Sequence, residues 1–233
     1  MKTAIITGAS VGIGEAAAAL FCKAGYGVYN LSRRACTVEG VHNIACDLSD
    51  PAAIAAAMNV LREVVENSDL VALVHNACQM RKDSAMDCHS DDLTAVLQTN
   101  VVAANTINQA LLPLMPKGSS VLYIGSTLAE KAVAEAYSYV ISKHAVVGMM
   151  RATCQDLMGR GIHTACICPG FTDTEMLRTH LNNDEAVLTD MASLNSFNRL
   201  IEPGEIAGLI VWAHANPVIN GSVLHAHLGQ RES

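Results

Sequence analysis

The chain has 233 residues, a length that suits one large α/β domain or two small ones and is enough to bury a full core. Apolar residues make up 51% of it and aromatic residues only 4%, a balance that fits strands covered on both faces by helices. The formal charge of −7 argues against a nucleic-acid binder, which would carry a basic face, and against an anionic membrane surface as partner.

Short apolar runs alternate with longer helical patterns along the chain. "TAIIT" (3–7) reads as a strand and 12–24 as a helix that stops at Gly25. "GVYNLS" (27–32) and "HNIACD" (42–47) read as strands, and 50–67 as a helix with Asp50 as N-cap and Pro51 in its first turn. "LVALVH" (70–75) is a continuous apolar run, as a central parallel strand should be. A long helix follows over about 91–114, then a strand at 120–125, a second long helix over about 138–158 and a strand at 162–168. The segment 171–200 is mixed and polar; a helix at 203–215 and a last strand at 222–227 complete the chain. There is no repeat and no linker-like shift in composition, so one domain over 1–233 is expected. Strands alternating with helices predict βαβ units, a parallel doubly wound sheet, and a ligand site beyond the carboxyl ends of the strands.

Eight cysteines lie at 22, 36, 46, 78, 88, 154, 166 and 168, with no Cys-x-x-Cys pair. Cys166 and Cys168 share one face of a strand and read as small core side chains rather than a metal or disulfide pair. Free thiols suit a reducing, cytoplasmic compartment. "TAIIT" after Met1-Lys2 is too short for a signal segment, and no apolar run has membrane-spanning length.

The candidate site residues fall at predicted strand ends. "TGASVGIG" (7–14) places Gly8, Ser10, Gly12, Ile13 and Gly14 between the first strand and helix. Such a turn either lets the backbone approach a pyrophosphate at the helix N-terminus or packs strand tightly on helix. Ser32, 18 positions after Gly14, stands where an acid would read a ribose hydroxyl, and Arg33 and Arg34 follow it. A small hydroxyl with two guanidinium groups suits a 2′-phosphate; the alternative is a solvated arginine pair. Asp47 can accept from an adenine amino group or cap a loop, and Asn76 in "HNAC" (75–78) can tie neighbouring strands.

"AYSYVISK" (136–143) holds two of the five tyrosines. Tyr139 and Lys143, four apart, share a helix face, whereas Tyr137 lies about 120° around the helix from Lys143. An ammonium beside a phenol lowers the phenol pKa and suits it to proton transfer near neutral pH; a packed tyrosine with a surface lysine is the plain alternative. Ser126 can hold a substrate oxygen, and Asn100, poorly suited to a helix interior, can kink its helix and anchor a water.

This order, from the glycine turn through Asp47, Asn76, Asn100, Ser126 and Tyr139 with Lys143 to Pro169-Gly170, resembles the short-chain dehydrogenase/reductase family over essentially the whole chain. "TGASVGIG" resembles its cofactor turn, "SYVISK" its Tyr-x-x-x-Lys, and "PGFTDTEM" (169–176) its loop after the sixth strand. The resemblance implies a Rossmann-type α/β/α sandwich with a seven-stranded parallel sheet, and an oxidoreductase that prefers NADP(H) to NAD(H). It implies catalytic roles for Asn100, Ser126, Tyr139 and Lys143. It adds Leu48, Ala77, Pro169, Gly170, Thr172 and Thr174 to the cofactor contacts, Tyr137 to the substrate contacts beside Ser126 and Tyr139, and 171–200 as a substrate lid. The expected substrate is a small to medium, partly apolar ketone or aldehyde; a 3-oxoacyl-carrier-protein reductase and a non-catalytic cofactor sensor are the alternatives. A homodimer or homotetramer is implied. Two departures stand out: "HNAC" where the family has Asn-Asn-Ala-Gly, and "HLGQ" (227–230) near the C-terminus.

Overall fold

The computed structural model describes residues 1–231. Seven parallel strands, β1 (Lys2–Thr7), β2 (Gly27–Ser32), β3 (Val41–Ala45), β4 (Leu70–His75), β5 (Ser120–Ile124), β6 (His163–Pro169) and β7 (Ser222–Ala226), form one sheet in the order β3-β2-β1-β4-β5-β6-β7. The chain leaves β1 in opposite directions along the sheet, towards β2 and β3 and then back to β4, so a crevice opens beyond the carboxyl ends of β1 and β4.

Both faces of the sheet are covered. Helices α1 (Gly12–Lys23) and α8 (Pro203–Ala215) pack on one face, where Phe21, Ile206 and Ile210 meet Ala4, Ile6, Val74 and Ile167. On the other face lie α2 (Pro51–Glu66), α3 (Ser90–Leu97), α4 (Ala103–Leu111) and α5 (Tyr137–Asp156), whose Ile54, Leu61, Ile107, Val147 and Met150 close over Ile5, Leu73, Val121 and Tyr123. This two-sided cover is why β5 and β6 are buried at every residue and carry no polar alternation. Asp50 caps α2 by accepting from the Ala52 amide at 2.8 Å, as its place before Pro51 predicts.

Two stretches differ from the sequence reading. The helix expected over 91–114 is interrupted: residues Gln98–Val102 form a π turn between α3 and α4, and Leu112–Leu114 a 3-10 turn after α4. The π turn contains Asn100, the residue expected to kink the helix. The mixed segment 171–200 contains two short helices, α6 (Glu175–His180) and α7 (Glu185–Ala192), each opened by an N-cap side chain, Thr174 and Asp184. Short amphipathic turns of this kind are held by capping and by their seat on the domain rather than by propensity.

Two of the buried polar networks centre on histidines. His214 on α8 joins Ser120 Oγ at 2.7 Å and Tyr26 OH at 3.0 Å, bridging α8, β5 and the turn before β2. His75, at the end of β4, joins Asn108 on α4 at 2.8 Å. Burial pushes both imidazoles down to about 4 from the ordinary value of 6.5, with nearby His163 and Lys2 adding to the effect at His214.

Both rings are neutral in the folded chain but bind a proton in the unfolded chain below pH 6.5. The unfolded state therefore holds more protons between about pH 6.5 and 4, and stability falls as the pH drops through that window. Urea unfolding at pH 6.5 and pH 5, where the carboxylates are still largely ionised, should show a loss of about 1.5 kcal/mol per ring. Equal midpoints at the two pH values would contradict neutral, buried rings.

Candidate active site

The glycine turn lies at the open end of β1. Gly8 and Gly12 have φ of +70° and +60°, a region that side chains disfavour. Gly14 is fixed by space: a Cβ there would sit 2.3 Å from the Gly8 carbonyl oxygen and 2.6 Å from Asn76 Nδ2. Thr7 Oγ1 accepts from the amides of Asn76 (2.9 Å) and Ala77 (3.0 Å), and Asn76 Nδ2 donates to the Thr7 and Gly8 carbonyls at 3.0 Å. Asn76 thus ties the ends of β1 and β4 together, as expected. No side chain caps the first turn of α1, so its leading amides face the crevice without protein acceptors and suit an anion. Gly14 serves packing, whereas the Gly8 amide donates to the Leu31 carbonyl at 2.9 Å and the Ala9 amide to Asn30 Oδ1 at 3.0 Å, so only the amides from Ser10 onward are left for a ligand. Ile13 is half-buried against the α1–α8 face.

At the end of β2, Ser32 Oγ lies 3.2 Å from Ser10 Oγ. Arg33 is exposed. Arg34 instead reaches across to Glu175 on α6, with Nη1 3.0 Å from Oε1. Asp47 Oδ1 accepts from the Ser49 amide (2.9 Å) and hydroxyl (2.7 Å), the loop-cap role, and these bonds hold its carboxyl below the usual range. Leu48 beside it is buried.

The expected catalytic group converges beyond β5. Lys143 is buried, 2% exposed, and its Nζ donates to the carbonyl of Ile124, the last residue of β5, at 2.7 Å. The same ammonium stands 5.4 Å from the centroid of the Tyr139 ring, so the shared helix face is realised. Ser126 opens a 3-10 turn, accepts from the Leu128 amide at 3.1 Å and lies beside the Tyr139 phenol, whose charged form it favours. Asn100 Oδ1 accepts from the Gln79 amide at 2.6 Å, and its Nδ2 donates to the Gln79 carbonyl and to Ser142 Oγ, both at 2.9 Å. Its side chain is thereby spent on fixing the loop after β4 against α5.

The phenol pKa departs from the sequence expectation. Burial pushes Tyr139 above the ordinary tyrosine value by more than Lys143 draws it down. Spacing reveals the charge partner but not the desolvation, which depends on what surrounds the pair. Burial also disfavours the Lys143 ammonium, but Cys78 and Tyr139, ahead of Cys166 and Cys168, outweigh it and hold the lysine above its ordinary value.

Tyr137 is the first residue of α5 and is 40% exposed, whereas Tyr139 is 9% exposed. It borders a groove of about 820 Å³ formed with Lys82, Met86, Val133, Val140 and Ile141. Asp83 anchors this edge, accepting from the Ser138 amide at 3.0 Å. The start of segment 171–200 meets the glycine turn and the loop after β4. A Cβ at Gly12 would meet Thr174 Cγ2 at 3.2 Å, and Met176 Sδ is 3.8 Å from Cys78 Sγ. Thr174 Oγ1 caps α6 through Leu177 N at 3.3 Å, and Thr172 Oγ1 donates to the Gly170 carbonyl at 3.1 Å. Pro169 ends β6, and the Gly170 amide donates to Ala226 on β7 at 3.0 Å. The atypical "HLGQ" and the residue after it clip this segment: the Leu228 carbonyl accepts from Ser196 N at 3.1 Å, and Arg231 N donates to Leu194 O at 2.7 Å.

Thr7, Gln79, Asp83 and Ser142 hold the site together and were not singled out from the sequence; each acts through hydrogen bonds to residues far away along the chain. All eight cysteines are free, and the Cys166 and Cys168 sulfurs lie buried 3.8 Å apart on one face of β6. Among the described residues there is no cluster of three or more potential metal ligands, and no helix is long and apolar enough to cross a membrane.

A sequence model of a family described as enoyl-(acyl carrier protein) reductase matches residues 8–230. Oxidoreductase UcpA of Escherichia coli (strain K12) is 29% identical over 227 residues, covering 89% of this chain and 85% of the relative. 3-Oxoacyl-[acyl-carrier-protein] reductase FabG of Vibrio cholerae serotype O1 is 26% identical over 98% of this chain and 96% of its own. A short-chain dehydrogenase from Burkholderia cenocepacia J2315, solved in complex with NADP, superposes with a TM-score of 0.86 at 26% identity, covering 98% of this chain and 97% of that one.

The close approach at Gly14 carries a prediction. Gly14→Ala forces a Cβ against backbone that has no free space, so the variant should lose about 1–3 kcal/mol in urea unfolding. A midpoint equal to that of the unmodified chain would mean that the turn relaxes freely.

Proposed function

Since the chain belongs to the short-chain dehydrogenase/reductase family, we propose that it is an NADPH-preferring oxidoreductase that interconverts a carbonyl and a secondary alcohol. The observation that carries the reading is the convergence of a buried Lys143 ammonium, the Tyr139 ring 5.4 Å from it and the Ser126 hydroxyl at one strand end.

The residues present fit a dinucleotide. The turn from Gly8 through Gly14 would hold its pyrophosphate at the α1 N-terminus, with Ser10, Gly12, Ile13 and Gly14 turning their amides to it. Asp47 and Leu48 would flank the adenine, Asn76 and Ala77 the ribose side, and Pro169, Gly170, Thr172 and Thr174 the nicotinamide. When bound, such a cofactor supplies or accepts the hydride.

The chain's own groups manage the oxygen and its proton. Ser126 donates a hydrogen bond to the substrate oxygen and polarises it. Tyr139 gives its proton to that oxygen as negative charge develops there, and takes a proton in the opposite direction. A raised phenol pKa keeps the tyrosine protonated at neutral pH and ready to donate, while the Lys143 charge stabilises the phenolate left behind. Asn100 secures the wall behind the pair through its bonds to Gln79 and Ser142. Tyr137 borders the groove beside α5 and Met176 reaches Cys78; with Leu177, Met191, Leu194 and Phe197 in the same lid segment, these side chains would favour a small to medium, partly apolar ketone or aldehyde.

Cofactor preference follows from charge. Ser32 presents no acid to repel a 2′-phosphate, and Arg33 is exposed and available to bind one. Arg34 is held by Glu175, but that ion pair is solvent-exposed on both sides and contributes roughly 0–1 kcal/mol. A charge-assisted bond to phosphate contributes roughly 1.5–3 kcal/mol, so Arg34 can exchange partners. The similarity to FabG favours a carrier-bound 3-oxoacyl substrate as second reading. Against it stands the net charge of −7, which repels an acidic carrier.

The test is a panel of free ketones, aldehydes and carrier-bound 3-oxoacyl chains assayed with both cofactors. Carbonyl-dependent oxidation is expected, with kcat/KM for NADPH at least about tenfold above NADH. Arg33→Ala should narrow that ratio and Ser32→Asp reverse it. Tight cofactor binding without any carbonyl-dependent oxidation would make the chain a sensor, and equal kcat/KM values would leave the arginines as a solvated pair.

A further inference from the structure

His75 stands where the resemblance leads one to expect an asparagine, and its bonding is determined by the network behind it. Thr153 Oγ1 donates to the Met149 carbonyl at 2.8 Å, so it accepts from Tyr123 OH, 3.1 Å away. The Tyr123 proton is then used, and Tyr123 OH accepts from Asn108 Nδ2 at 2.7 Å. Asn108 consequently presents Oδ1 to His75 Nε2, at 2.8 Å, and an amide oxygen can only accept. The His75 proton is on Nε2, and Nδ1 carries a lone pair.

That Nδ1 is buried and has no partner among the protein groups. A polar atom so placed is rarely left unpaired. His75 borders a small cavity of about 10 Å³, whose wall also includes Thr7, Thr99, Asn100, Tyr123 and Lys143. A space of this size with polar groups around it accommodates a single water. Lys143 uses one Nζ proton on Ile124 and has two left, whereas the Asn100 side chain is already spent on Gln79 and Ser142.

We propose that one water fills this cavity, accepting from Lys143 Nζ and donating to His75 Nδ1, and that His75 is the positioning residue that orients it for proton exchange with Lys143. The inference rests on the reading of Tyr139 and Lys143 as the proton-transfer pair. It extends that pair inward along His75, Asn108, Tyr123 and Thr153, a chain of hydrogen bonds running in one direction. Because the imidazole pKa lies at about 4, His75 remains an acceptor at neutral pH.

Two variants separate orientation of the water from support of the fold. Gln places an amide N–H near the position of Nε2, keeping the bond to Asn108 but losing the Nδ1 acceptor. Asn places its carbonyl oxygen near Nδ1, keeping the acceptor but losing Asn108. His75→Gln should unfold like the unmodified chain and keep its KM, yet lose about fivefold in kcat, the worth of one hydrogen bond. His75→Asn should recover kcat while unfolding at lower urea. A purely structural His75 predicts the reverse order, and that result overturns the proposal. Tyr139→Phe is run alongside: if it stays active, the proton-transfer reading fails and this one with it. If it is inactive while His75→Gln keeps full kcat, only the His75 proposal falls. Should either variant fail to fold, a high-resolution crystal structure of the unmodified protein decides: a water bridging Nδ1 and Nζ supports the proposal, and a cavity without one overturns it.

Discussion

The Lys143 ammonium lies inside the fold and requires partners that the chain must bring from separate segments. A buried charge without such partners would be costly, and here the first is the Ile124 carbonyl, 2.7 Å away at the end of β5. That bond joins the centre of α5 to the sheet edge where the crevice opens. It also determines the height of Tyr139, one turn earlier on the same face, and the position of the turn that begins with Ser126. Much of the site follows from this requirement. Asn100 braces α5 through Ser142, the residue next to Lys143, and the π turn brings Asn100 to the right depth. A regular helix over 98–102 would rotate the asparagine away from Gln79. Its loss of regular helical bonding is the cost of linking three segments behind one ammonium.

The cofactor side of the crevice is governed by space rather than charge. Gly14 lies against the Gly8 carbonyl and Asn76, so β1, α1 and β4 meet without a side chain between them. The first turn of α1 has no side-chain cap. The segment after β6 meets this turn through Thr174, is braced internally by the Asp173–Arg178 pair, and is held to the body by the backbone bonds to Leu228 and Arg231. Its links to the cofactor side are fewer and exposed: Arg34 with Glu175, and Cys78 with Met176. The segment is thus anchored at its base and more loosely held at its rim.

Much of the architecture was legible in the sequence because it depends on patterns along the chain. The apolar runs at 27–32 and 70–75 and the helix at 203–215 coincide with the observed elements. Spacing alone separated Tyr139 from Tyr137, since a four-residue interval defines a helix face wherever the helix sits. Asn76 as a tie between strands and Asn100 as an interruption of its helix were read from their positions too. Thr7, Gln79, Asp83 and Ser142 were not, because their partners are distant in sequence and nothing in their neighbourhood distinguishes them from ordinary polar residues. The rise in the Tyr139 pKa was hidden for the same reason: spacing gives the lysine, and only packing gives the burial. The two helices within 171–200 are too short for periodicity to reveal.

The central claim is that Tyr139, seated by Lys143, moves the proton, while Tyr137 at the rim of the groove meets the substrate. Steady-state kinetics of Tyr139→Phe and Tyr137→Phe, with one carbonyl substrate and saturating cofactor, test it most directly. Tyr139→Phe should lower kcat by about 10²–10⁴, the usual contribution of a general acid, while Tyr137→Phe should keep kcat and change KM. A Tyr137→Phe variant without turnover beside a Tyr139→Phe variant close to the unmodified enzyme would contradict the account.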